Sequence, residues 1–72
     1  MKKVYKLQDL DCANCAAKME RAINKLDGVQ SASISFMAQR LSIEADEDRF
    51  EEIMERVEKA CRKVEPDCRI VR

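Results

Sequence analysis

Hydrophobic and polar positions alternate from Lys3 to Gln8, with Tyr5 and Leu7 on one side and Val4, Lys6 and Gln8 on the other. That period of two predicts a half-buried strand. Asp9 to Asn14 predicts a loop. From Cys15 the period lengthens: Ala16, Met19, Ala22 or Ile23, and Leu26 recur at helical spacing, with Lys18, Glu20, Arg21 and Lys25 opposite. Asp27-Gly28 predicts the end of this helix, the chain's only glycine serving as a left-handed cap. Val29 to Phe36 alternates again, with Ala32, Ile34 and Phe36 inward and Ser31, Ser33 and Ser35 outward. A turn at Met37-Ala38-Gln39 leads to a third strand carrying Leu41, Ile43 and Ala45. Asp46-Glu47-Asp48 predicts an acidic helix start, where negative charge suits the helix dipole. Phe50, Ile53, Met54, Val57, Ala60, Cys61 and Val64 then share one helical face, and Glu55 and Lys59 face solvent as a pair at i,i+4. Pro66 stops the helix, and Cys68 to Val71 predicts a short last strand.

The order β-α-β-β-α-β predicts an α+β fold of ferredoxin-like type, a four-stranded antiparallel sheet with two helices on one face. Its expected core is Tyr5, Leu7, Ile23, Leu26, Ile34, Phe36, Leu41, Ile43, Ile53 and Val57. At about 1.5–3 kcal/mol for each large side chain buried, such a core offsets the entropy of ordering the chain. The 72 residues make one domain, 1–72, with no linker or repeat. Chain direction places the loop 9–14, the turn 37–39 and the connection 64–67 at one end of the sheet. Glu65, Pro66, Asp67 and Cys68 are therefore expected beside Cys12 and Cys15.

Charge narrows the range of functions. Lys plus Arg and Asp plus Glu both number 14 and are interspersed, so no basic field exists to hold nucleic acid. The opening Met1-Lys2-Lys3 has no apolar segment of a secretory signal after it, and no apolar run approaches the roughly 20 residues that cross a bilayer. These features predict a cytoplasmic setting in which thiols stay reduced. Four cysteines in so short a chain then read as reactive or metal-binding thiols rather than as a disulfide scaffold.

Cys12 and Cys15 stand three positions apart where a loop enters a helix, so both sulfurs reach one point. The N–H groups and positive dipole end of that helix favour thiolate over thiol. Soft-metal binding and dithiol redox exchange both use such a pair. Asp11 either caps the helix or joins the thiols as a ligand. Cys61 belongs to an apolar helix face and reads as core, whereas Cys68 reads as packing or as an accessory thiol. Met37 and Met54 read as packing residues.

The stretch Leu10-Asp11-Cys12-Ala13-Asn14-Cys15-Ala16-Ala17-Lys18-Met19-Glu20, followed by Leu26-Asp27-Gly28-Val29, resembles a heavy-metal-associated domain. Such domains occur as copper chaperones, as mercury-binding proteins and as cytosolic N-terminal modules of heavy-metal-transporting P-type ATPases. Copper members usually carry Gly-Met-Thr/His before the first cysteine, where this chain has Asp9-Leu10-Asp11. Leu10 can fill the buried Met position, a swap that conserves volume. Asp11 makes the chain similar to the zinc/cadmium/lead modules. Cu(I) is satisfied by two thiolates, whereas Zn(II) takes four ligands and accepts carboxylate oxygen. A carboxylate beside Cu(I) and two thiolates adds unwanted negative charge; beside a divalent ion it takes the site from neutral to one negative.

The resemblance thus implies Zn(II) or Cd(II), with Pb(II) also admitted, on Cys12, Cys15 and Asp11. Glu65, Asp67, Cys68, water or a partner's group is left for a fourth position. It implies a non-catalytic, monomeric module at the cytoplasmic face, without membrane contact of its own. Its partners would be the remaining domains of a metal-exporting ATPase in the cell membrane. Met1-Lys2-Lys3 is expected to be a natural start and Arg72 a truncation point. The alternatives are a free-standing Cu(I) chaperone, a mercury-binding protein and a thiol-disulfide redox protein.

Overall fold

A computed structural model describes residues 1–71, and the truncation expected at Arg72 lies outside the described residues. The elements run β1 (Lys2–Gln8), α1 (Ala13–Asn24), β2 (Val29–Ser35), β3 (Arg40–Ala45), α2 (Phe50–Val64) and β4 (Arg69–Val71). The antiparallel sheet has the order β2-β3-β1-β4, which is the expected ferredoxin-like arrangement. Tyr5 lies opposite Leu41, Leu7 opposite Ile70, and Ile34 opposite Leu41, so the inward residues of neighbouring strands meet in register. Both helices cover that face, while Val4 on the other is 56% exposed.

The core joins Leu7, Ala32, Leu41, Ile43 and Ala45 of the sheet to Ala16, Met19 and Ile23 of α1 and to Phe50, Ile53, Met54, Val57 and Cys61 of α2. Tyr5, Leu26, Ile34 and Phe36, expected inside, are only half-buried and pack around its margin. Side chains of α1 also close the outer edge of β2. Asn24 donates to the Ala32 carbonyl at 3.0 Å and accepts from the Ala32 amide at 2.9 Å, and the Ile34 amide donates to Glu20 at 2.9 Å. These bonds take groups that would otherwise offer themselves to another strand.

Several boundaries differ from those expected. Helix α1 starts at Ala13, two residues before Cys15, because Cys12 is the extended N-cap and its carbonyl already accepts the Ala16 amide at 3.0 Å. It ends at Asn24, with turn bonds from Lys25 to Ala22 and from Leu26 to Ile23. Gly28, at φ +90°, therefore belongs to the entry of β2 rather than to the helix cap. The acidic segment forms a separate 3-10 turn, Glu47–Arg49, ahead of α2. On α2 the i,i+4 pair that closes is Arg56 with Glu52 at 3.0 Å, in place of Glu55 with Lys59. Cys68 precedes β4 rather than opening it. Met37 is 91% exposed at the tip of its turn, so its expected packing role fails, whereas Met54 is fully buried.

Gly28 is constrained from two sides. Its left-handed φ disfavours any side chain, and a Cβ there would stand 2.6 Å from Ile53 Cδ1. The methyl tip can move, so backbone strain outweighs the crowding. Gly28→Ala is expected to lower stability by about 1–3 kcal/mol, seen as a lower urea midpoint with an unchanged slope. A midpoint equal to wild type would contradict that assignment.

Burial pushes the Cys61 thiol up to about 12, with the charges of Cys68 and Glu58 adding to the effect. The folded state thus holds this proton more tightly than the unfolded chain. The associated stability is complete below the ordinary thiol value of 9.0 and is lost as pH rises through the folded value. Urea midpoints measured from pH 8 upward should fall in this window, and Cys61→Val should flatten the fall relative to wild type.

Candidate metal centre

Strand β1 ends at Gln8, and Asp9 turns the chain with a left-handed φ of 62°. Leu10 then drops into the core at 2% exposure, which anchors the loop two residues ahead of Cys12. Both Leu10 backbone groups bond the Gln39 side chain from the β2–β3 turn: its amide donates at 3.3 Å and its carbonyl accepts at 2.8 Å. Cys12 is the N-cap of α1, and Cys15 lies in the first turn. Both thiols are free and half-buried, and Cys15 packs on the core margin beside Ala16.

The two sulfurs differ electrostatically although they interact directly. No closed side-chain bond caps α1, but the Cys15 and Asn14 amides face the Cys12 sulfur closely enough to stabilise its thiolate. Cys12 is lowered first by the Cys15 backbone N–H, then by the Cys15 thiol and the Asn14 N–H. Cys15 is raised, first because its S–H is engaged by Cys12, then by burial and by the charges of Cys12 and Glu65, which Lys18 partly offsets. Of the two, Cys12 is therefore the more readily ionised, with the Cys15 S–H engaged by its sulfur.

Several carboxylates lie at the same end of the molecule as this pair. Asp11 is exposed and lines a groove with Gln8, Asp9, Pro66, Asp67 and Arg69. Glu65, on the α2–β4 connection, is near enough to raise Cys12, Cys15 and Cys68 alike. Its place is set by turn bonds, Glu65 donating to the Cys61 carbonyl at 2.9 Å and Cys68 to the Glu65 carbonyl at 3.1 Å. Cys68 is 1% exposed, and its thiol is raised by burial first and then by Glu65, Asp9 and Asp11.

The structure thus brings Cys12 and Cys15 together and puts the three elements expected at this end side by side. Among the described residues, no three Cys, Asp or Glu side chains converge as a ready metal-binding group, and Asp11, next to Cys12 in the chain, lines its own groove. Gln39 ties the β2–β3 turn to the loop that carries Cys12, a link that the sequence pattern disguises as an ordinary turn position. Its signal is structural, an uncommon left-handed φ of 54° in a residue without the short side chain that favours it.

Residues 4–63 match the heavy-metal-associated domain. The chain is 32% identical over 66 residues to the cadmium, zinc and cobalt-transporting ATPase of Bacillus subtilis, covering 92% of this chain and 9% of that one. It is 37% identical over 59 residues to the zinc/cadmium/lead-transporting P-type ATPase of Escherichia coli, covering 82% of this chain and 8% of the relative. The chain therefore spans less than a tenth of these relatives. Among solved structures, the apo N-terminal domain of ZntA superposes with a TM-score of 0.73 at 32% identity, covering 99% of this chain and 92% of that one. The CopZ metallochaperone superposes with a TM-score of 0.77 at 20% identity, covering 99% and 100% of the two chains, and shares the fold.

The thiol asymmetry predicts an order of reaction. In the reduced metal-free protein, iodoacetamide should modify Cys12 first and Cys15 more slowly. The Cys12 rate should rise through a midpoint below 9.0. Cys61 and Cys68 should stay protected until the domain unfolds. Peptide mapping by mass spectrometry reads all four sites, and faster labelling of Cys15 than Cys12 would contradict the order.

Proposed function

This chain belongs to the heavy-metal-associated domain family, whose members are metal-binding modules, and from that premise we propose that it captures a soft divalent ion through Cys12 and Cys15, with Asp11 swinging in as a third ligand. The observation that supports the reading is the set of carboxylates at this end of the sheet: Asp9, Asp11 and Asp67 line one groove, and Glu65 is close enough to act on both thiols. Two thiolates supply soft donors, and a neighbouring oxygen donor suits Zn(II), Cd(II) or Pb(II) better than Cu(I).

Capture follows from the proton arrangement. Cys12, the more readily ionised thiol, binds first, and each cysteine that ligates the ion gives up its S–H proton to solvent as its bond to the metal forms. A dithiolate holding a divalent ion is neutral, and Asp11 makes it one negative. Because Asp11 is exposed, its rotation towards the ion needs no repacking of the core. A position left to water or an exchangeable group suits transfer, since a closed four-ligand site holds its ion for structure.

The named relatives are cadmium-, zinc- and lead-transporting ATPases, and we place this module in such a protein, at the cytoplasmic face of the cell membrane. No described helix is long and apolar enough to cross a membrane. In such a protein the module would hand its ion to the membrane-embedded part or regulate it by occupancy. One observation favours a second reading, a Cu(I) chaperone: among the described residues Cys12 and Cys15 meet with no third Cys, Asp or Glu converging on them, and two thiolates satisfy Cu(I).

Anaerobic, chelator-buffered titrations with Zn(II), Cd(II) and Cu(I) separate the two. Cys12→Ser should abolish tight binding of every ion with the fold intact. Asp11→Ala should weaken Zn(II) and Cd(II) by about 10-fold or more while sparing Cu(I), a loss in the range seen when a group supporting a metal site is removed. Unchanged Zn(II) and Cd(II) binding in Asp11→Ala would remove Asp11 from the site and pass the case to copper.

A further inference from the structure

The loop that presents Cys12 contains a backbone conformation that does not sustain itself. Asp9 sits at φ 62° immediately after β1, and Gln39 sits at φ 54° in the turn facing it. Left-handed conformations at residues with side chains persist only where the surroundings over-determine them. Here Gln39 holds the chain on both sides of Asp9. The Leu7 amide donates to the Gln39 carbonyl at 2.7 Å, on the β1 side of Asp9. On the far side, the Gln39 side chain accepts from the Leu10 amide at 3.3 Å and donates to the Leu10 carbonyl at 2.8 Å. The same NH₂ group donates to the Phe36 carbonyl at 2.8 Å, which ties the amide to its own turn. One residue thus brackets Asp9, and its amide takes the place of the strand partner that Leu10 lacks.

We infer that Gln39 is the positioning residue of the metal site, holding the Asp9–Cys12 loop in the geometry in which Cys12 meets Cys15. It touches neither thiol and acts through Leu10. That role rests on the proposed metal capture. Only an amide does the whole task, since the site calls for one acceptor and two donors on a single planar group. A carboxylate of the same shape would keep the acceptor for Leu10 and set negative charge against two carbonyl oxygens. When the loop is untied, the competent arrangement is populated for a fraction of the time, and the apparent affinity falls by that fraction.

Cd(II) titrations of wild type, Gln39→Leu, Gln39→Glu and Gly28→Ala test this, with the sulfur-to-cadmium charge-transfer absorption followed together with affinity. Gly28 lies at the opposite end of the sheet, so Gly28→Ala controls for lost global stability. Both Gln39 variants are expected to bind Cd(II) about 10–100-fold more weakly, the range found for groups that orient metal ligands. They should also alter the charge-transfer band and speed hydrogen exchange at the Leu10 amide, while Ile43 and Val57 stay protected. Gly28→Ala should keep wild-type affinity and band.

Wild-type affinity in Gln39→Leu overturns the role, and so does an equal loss in Gly28→Ala, which would make Gln39 merely structural. Failure of the wild type itself to hold Cd(II) is a different result. It removes the capture reading, and the positioning role with it.

Discussion

Met19 and Ile23 are fully buried, and with Ala16 they seat α1 on the sheet so that its N-terminus meets the loop leaving β1. The rest of the molecule's chemistry depends on that docking. An isolated 12-residue helix is marginal in water, so tertiary burial holds the first turn open towards Cys12. The bonds from Asn24 and Glu20 to β2 add a second attachment and fix the helix along the sheet edge. With α1 fixed, the amides of Asn14 and Cys15 face one sulfur and leave the other as its proton donor.

Burial sorts four cysteines of identical chemistry into two kinds. Cys12 and Cys15 lie at the surface end of a helix, where a proton can be exchanged for a cation. Cys61 and Cys68 are enclosed, and burial is the largest influence raising each. A metal arriving at the buried pair would have to displace protons held against a low-dielectric surrounding. Carboxylates add to the distinction, because Glu65 is close enough to act on both half-buried thiols, and Asp9, Asp11 and Asp67 line a groove at the same end of the sheet. The membership in a heavy-metal-binding family fits this arrangement.

Much of the fold was legible because two periodicities carry it. The alternation at Tyr5 and Leu7 and at Leu41 and Ile43, and the helical recurrence of Phe50, Ile53, Met54 and Val57, can each be satisfied by one kind of element. The helix start was less legible, since Cys12 caps α1 with neither a Ser, Thr, Asp or Asn side chain nor a closed cap bond. Gly28 misled because a lone glycine after an apolar helix face suits a cap, whereas its left-handed φ serves the entry to β2. Met37 misled because an apolar residue in a turn carries no period to say which way it faces.

The amino-acid pattern by itself determined the element order, the dithiol and the acidic residue beside it, because these depend on residue type and local spacing. Tertiary structure alone decided which carboxylates stand near the thiols, which two cysteines are sealed away, and that Gln39 reaches back to Leu10 across 29 positions. Those outcomes depend on distances between residues remote in sequence. Such distances exist only once the helices have closed over the sheet.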